Sequence, residues 1–279
     1  YLKPPFFIEL KHLTQRCPNL KRIRFKYLRT NNDEEGQGEH LSKLAVLDHL
    51  TQWSISSANF YEHQIFNLLE VRGDQLVHLE LVEVDEVNLN AILLLGSHCI
   101  NLQKLCLHGC HFQMQVEDAR VVDELCCKIV NPDPDQRPKK VRLTSLSHDL
   151  TLPFEKLQSL DIYLKSPTHL PIFQYLVYHA VYLETLIFDQ FYCDYDETLI
   201  HQSLLEWNSM EYLKELQIGH GSRLSVVTVN IILAQCHQLQ RLGKLDQWGQ
   251  IDRQQIESIR KEIEARNLDL SIICNEMIP

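Results

Sequence analysis

Three apolar residues spaced as L-x-x-L-x-L recur along this 279-residue chain, and no other feature limits its fold as strongly. The pattern stands at Leu20–Ile23–Phe25, Leu50–Trp53–Ile55, Leu76–Leu79–Leu81 and Leu102–Leu105–Leu107. It returns at Leu157–Leu160–Ile162, Leu183–Leu186–Phe188 and Leu213–Leu216–Ile218, begins again at Leu239–Leu242, and ends in Leu268–Leu270–Ile272. First positions lie 26 to 30 residues apart, except for one interval of 55 between Leu102 and Leu157. The alternation sends apolar side chains to one face of a short strand and polar ones to the other. Upstream segments have helical spacing instead, as in Leu89, Ile92, Leu93 and Gly96, or Leu224, Val227, Ile231 and Ala234.

A unit of one strand and one helix cannot bury its apolar face alone, but stacked neighbours bury it continuously. The expected fold is therefore an α/β solenoid of about ten units, with a parallel sheet on the concave side and helices on the convex side. The long interval should hold one more unit, with its helix over Val121 to Val130 and its strand at Val141 and Leu143. Asp252 to Ala265 reads as a charged amphipathic helix with Ile256, Ile259 and Ile263 inward. With the strand Leu268 to Ile273 it would close the stack, so 252–279 reads as a C-terminal cap on a single domain, 1–279. Two insertions interrupt the pattern. Residues 29–40 are polar with Gly and Asn, and 131–138 carry three prolines. Both should be loops, serving either binding or plain connection.

Three units enter their strand through a short link: Cys17-Pro-Asn-Leu20, Cys99-Ile-Asn-Leu102 and Cys236-His-Gln-Leu239. One adds a cysteine after the strand, in Leu102-Gln-Lys-Leu105-Cys-Leu107-His-Gly-Cys110. The arrangement resembles the cysteine-containing leucine-rich repeats common in F-box proteins, over nearly the whole chain. Arg241-Leu-Gly-Lys-Leu-Asp-Gln-Trp248 and Arg266-Asn-Leu-Asp-Leu270 are also similar to arthropod F-box-like repeat proteins. The resemblance implies a horseshoe like that of ribonuclease inhibitor, used for protein recognition. In F-box members a separate helical domain before the repeats docks on a Skp-type adaptor. Here no L-P-x-x-I-L-x-x-I-F-like segment precedes the first repeat, and Leu152-Pro-Phe-Glu-Lys-Leu157 runs directly into a repeat strand. The implied role is the substrate-receptor part of an F-box-type ubiquitin ligase whose F-box would lie before Tyr1. The alternative is a free-standing binder, inhibitor or secreted effector.

Composition narrows the partner. With 37 acidic against 27 basic side chains the net charge is -10, opposite to what phosphate binding favours, so no nucleic-acid partner is expected. No stretch approaches the ~20 apolar residues of a membrane span, so no membrane partner is expected either. Nine cysteines, none in C-x-x-C, and no N-x-[ST] acceptor suggest reduced thiols in a cytoplasmic or nuclear protein. A signal peptide removed upstream of Tyr1 would make it a secreted one.

Cys106, His108, Cys110 and His111 raise the question of zinc. They crowd one strand and its turn, where alternation separates them, so buried structural cysteines are expected and neither a metal nor another cofactor. No G-x-S-x-G, P-loop, H-E-x-x-H or G-x-G-x-x-G motif marks an enzyme, and no catalytic residue is assigned. Cys193 lies among acids that would raise its pKa. The polar x positions are the better candidates. They are Lys21, Arg22 and Arg24; Gln52 with Ser54; His78 and Glu80; and Lys104 with Cys106. Next come Gln158 with Asp161, Glu184 with Ile187, and Lys214 with Glu215 and Gln217. Tyr163, Phe191, Tyr192 and Tyr195 follow the later strands as candidate aromatic anchors.

Overall fold

The computed structural model describes residues 15–26, 47–56, 69–84, 87–113, 153–190, 210–221 and 223–274. Where the sequence alternates, the backbone is extended. Strands run over Arg22–Lys26 (β1), Gln52–Ser56 (β2), His78–Val82 (β3), Val87–Asn88 (β4), Lys104–His108 (β5) and Phe112–Gln113 (β6). Then come Ser159–Leu164 (β7), Thr185–Gln190 (β8), Glu215–Ile218 (β9), Arg241–Gly243 (β10) and Ser271–Ile273 (β11). Nine of them form one sheet in the order β1-β2-β3-β5-β7-β8-β9-β10-β11, with every neighbouring pair parallel. β4 and β6 pair separately. The chain is thus an α/β solenoid of the leucine-rich-repeat kind, built from stacked strand-and-helix units.

Register holds the repeat positions in rows. Counting L-x-x-L-x-L as positions one to six, position four aligns as Ile23, Trp53, Leu79, Leu105, Leu160, Leu186, Leu216, Leu242 and Ile272. The described side chains of positions four and six are buried in one continuous apolar cluster as far as Leu242, and Ile272 packs against it half-buried. Eight of the nine units enter their strand through the same turn, in which the first leucine's N–H bonds the carbonyl three residues back. This is seen at Leu20→Cys17, Leu50→Leu47, Leu76→Gly73, Leu102→Cys99, Leu157→Phe154, Leu183→Ala180, Leu213→Met210 and Leu239→Cys236, at 2.9–3.2 Å. Cysteine fills only three of these eight turns. The link is a backbone device that tolerates Leu, Gly, Phe, Ala or Met, so its cysteines say less about kinship than their spacing implies.

Across the long interval the described strands are direct neighbours in the sheet. β5 bonds β7 directly, with Lys104 opposite Ser159, and the Gln103 carbonyl accepts both the Gln158 and Ser159 N–H at 2.9 Å. The strand expected at Val141 and Leu143 lies outside the described residues. The stretch 121–143, both insertions, and Cys126, Cys127 and Cys193 lie outside the described residues.

Helices cover the core face. α1 (Leu89–His98) is capped by Asn88, whose side chain accepts the Ala91 N–H at 2.8 Å, and buries Leu89, Ala91, Ile92, Leu95 and Gly96. α2 (Leu170–His179) carries proline in its first turn, where no intrahelical donor is lost. α3 (Val226–Gln235) starts at a Ser225–Thr228 capping box and buries Thr228, Val229 and Ile232. Its expected face was Leu224, Val227, Ile231 and Ala234, yet Val227 is 54% exposed. In V-V-T-V-N-I-I-L-A apolar residues surround the axis, so spacing alone could not choose a side. α4 (Arg253–Ala265) begins at an Asp252–Gln255 capping box and turns Ile256, Ile259 and Ile263 inward, as its pattern indicated.

Gly96 marks where α1 meets the turn that begins the unit of β7. A Cβ there would stand 2.8 Å from Pro153 Cβ and 2.9 Å from Phe154 Cε2. Because Phe154 is fully buried with φ of 56°, it has little room to retreat. Gly96→Ala is expected to lower stability by about 1–3 kcal/mol despite alanine's better helix propensity. Urea unfolding would show it, and an unchanged or raised midpoint would mean that the two units do not press together here.

Candidate functional site

Strand alternation dictates what the uncovered side of the sheet presents. Positions three, five and seven point away from the core, and neighbouring strands space them about 4.8 Å apart. Row three reads Arg22, Gln52, His78, Lys104, Ser159, Thr185, Glu215, Arg241 and Ser271. Row five reads Arg24, Ser54, Glu80, Cys106, Asp161, Ile187, Gln217, Gly243 and Ile273. Nine strands make this face about 38 Å long.

Arg22, Arg24, Gln52, His78, Glu80, Lys104, Asp161 and Gln217 all stand on it, as the pattern indicated. Tyr163, two residues past Asp161 on β7, is there too, opposite Asp189. Lys21, Glu184 and Lys214 are not. They occupy position two, one residue before the strand, where alternation turns the side chain off the open face. Their backbone carbonyls each accept two N–H groups from the next unit. Lys21 instead lines a cavity of about 540 Å³ on the ledge of turns, with Asp48, His49, Thr51, Asp74 and Asn101. Lys214 and Glu184 bond each other at 2.9 Å. Phe191, Tyr192 and Tyr195 lie outside the described residues.

The face is organised by side-chain pairs that reach across strands. Arg24 donates to Ser54 Oγ at 3.1 Å and to Glu80 Oε2 at 3.2 Å, spanning three strands. Burial pushes the Glu80 carboxyl up, but the Ser54 hydrogen bond and the Arg24 charge outweigh it and leave the pKa lowered. His108 Nε2 meets Asp161 Oδ1 at 2.7 Å, and that hydrogen bond raises the imidazole's pKa against its burial. Arg241 pairs with Glu215 at 2.7 Å, and Gln217 Nε2 donates to the other Glu215 oxygen at 2.7 Å. Asp189 is held from two sides, by His220 Nδ1 at 2.6 Å and Lys244 Nζ at 2.7 Å. Desolvation raises its pKa, yet the bonds from Lys244 and His220 win and it stays lowered. Gly219 makes room for this carboxylate, since a Cβ there would run into the Asp189 side chain.

Asp189, His220, Arg241 and Lys244 were missed by sequence reasoning. Asp189 follows the last apolar residue of its repeat, so continuing the alternation one step would have found it. Lys244 and His220 sit at φ of 66° and 54° just past their strands, a turn geometry the spacing does not announce. Burial and three neighbouring cations, Lys104, Arg22 and Arg24, lower the pKa of His78 against the charge of Glu80, and its buried Nε2 has no hydrogen-bond partner. Cys106, sunk between Glu80 and Asp161 on the face, has its thiol pushed up to about 11, chiefly by burial.

The candidate zinc ligands do not converge. Cys110 Sγ points to Leu81 O at 3.5 Å, His108 is engaged by Asp161, and His111 Nε2 lies 3.4 Å from Lys165 Nζ. Among the described residues no group of three or more His, Cys, Asp or Glu could hold a metal. Likewise, among the described residues no helix is long and apolar enough to cross a membrane.

No family profile matches the chain, and no curated protein sequence matches it. Among solved structures it is similar to the crystal structure of an internalin from Listeria monocytogenes. The identity is 12% and the TM-score 0.40, over 93% of this chain and 68% of that one.

Proposed function

We propose that this chain recognises another protein through the open face of its sheet and performs no chemistry of its own. The supporting observation is the uninterrupted in-register array of nine strands, whose polar side chains are preset by cross-strand pairs. A rigid, pre-organised surface of this extent loses little conformational entropy on binding. Replacement at its middle should therefore block a partner without disturbing the core. Thr185→Trp, in row three of β8, is expected to abolish recovery of partners cross-linked in cells while leaving circular dichroism and melting unchanged. Undiminished recovery would remove the open face from the site.

The repeat spacing further supports the substrate-receptor part of an F-box-type ubiquitin ligase, acting in the cytoplasm or nucleus. The product of the whole native gene should then co-purify with a Skp-type adaptor. A complete gene that lacks an F-box would end that version and leave a free-standing binder, inhibitor or secreted effector.

A further inference from the structure

The charges on the open face are layered. Its four described carboxylates, Glu80, Asp161, Asp189 and Glu215, are sunk, with side chains 21, 24, 20 and 11% exposed. The groups pairing with three of them stand higher: Arg24 is 63% exposed, Arg241 55% and His108 40%. Arg22 and Lys104 are exposed, and among the described residues neither has an ion-pair partner. On a chain of net charge -10 the outermost atoms of this face are therefore largely cationic.

We propose that the partner segment bound by this face is an extended acidic stretch of protein, whose carboxylates lie along Arg22, Arg24, Lys104 and Arg241. The inference rests on the recognition reading above and adds the partner's chemistry. Arg22 and Lys104 are three strands apart, about 14 Å, a span that an extended peptide covers in about four residues. Half-buried Val82, Ile187 and Tyr163 stand on strands between those that carry the cations and offer apolar contact to other side chains of such a strand. A nucleic acid fits less well. Tyr163, itself half-buried, is the one described Phe, Tyr or Trp on the rows, so bases would find no series of stacking platforms, and the net charge repels a long polyanion. The attraction is local, because charges beyond ~8 Å are screened at physiological salt.

The test uses the full chain and three fluorescent probes: a synthetic peptide repeating Glu-Leu-Glu-Ser, its Gln-Leu-Gln-Ser counterpart, and oligothymidylate. The acidic peptide should bind, more weakly as salt rises, and lose about tenfold in affinity to the Arg22→Glu, Lys104→Glu double variant. The Arg253→Glu, Lys261→Glu variant, altered on the outside of α4, should bind as the parent does. Occupation by carboxylates should also raise the pKa of His78, readable by NMR. Failure of the acidic peptide to bind, equal binding of the glutamine peptide, or indifference to the double variant would each overturn the proposal. So would oligothymidylate binding as tightly. If Thr185→Trp abolishes partner recovery from cells and the charge reversal does not, recognition by the face stands and its acidic partner falls.

Discussion

Replacing Trp248 with alanine is expected to release the C-terminal end of the solenoid while the first units stay folded. The indole is 2% exposed in the turn between β10 and α4, and its Nε1 donates to the Ile218 carbonyl at 2.7 Å. It ties the end of β9 to the segment that leads into the closing helix. Truncation removes the ring's packing, worth about 3–5 kcal/mol, and leaves a buried carbonyl unpaired, at a further ~1–3 kcal/mol. In a solenoid each unit touches only its neighbours, so a loss of this size concentrates locally. Amide exchange should accelerate over Leu239–Ile273 and remain slow in β3 and β5. Trp248→Phe should forfeit mainly the hydrogen-bond share. Uniform acceleration along the chain, or none, would show that Trp248 does not hold this end in place.

Acidification should destabilise the protein through His179. This residue ends α2 with its Nε2 buried and unpartnered, packed against the Tyr175 and Tyr178 rings at centroid distances of 4.5 and 5.0 Å. Burial in that apolar setting lowers its pKa from 6.5 to about 4. The unfolded chain therefore binds a proton from pH 6.5 downward that the folded chain refuses until about pH 4. Stability is full above the unfolded value and is lost as pH falls through this window, by about 3 kcal/mol in total. His78 and His169, also lowered by burial, act in the same direction. His179→Phe keeps the ring and deletes the titration. Its urea midpoint should fall much less than the parent's between pH 7 and pH 4.5. Parallel curves for the two proteins would refute the assignment.

The strands were legible because position four and position six repeat the same demand from unit to unit as far as β9. Leu79 and Leu81, or Leu160 and Ile162, carry that instruction locally, and each turn satisfies its own backbone with one bond. The closing helix was equally plain, since Ile256, Ile259 and Ile263 contrast with charged neighbours around the axis. α3 was harder because its apolar residues surround the axis, and the Ser225 cap and the packing of its neighbours chose Val229 and Ile232 over Val227. The candidate face was half legible. Positions three and five could be read directly, but Lys21, Glu184 and Lys214 were counted with them although one residue of offset turns a side chain off the face.

The sequence by itself determined the repeating unit, its length, and which residues of each strand would be buried, because these follow from the two-residue period of a strand and the cost of exposing apolar surface. Only the tertiary structure decided that β5 lies against β7 and that Lys244 reaches Asp189 across 55 residues. It also decided that Glu80, Asp161 and Glu215 lie beneath the groups that pair with them. Adjacency between distant units, and the depth of one side chain relative to another, depend on how whole units stack, and no local spacing encodes that.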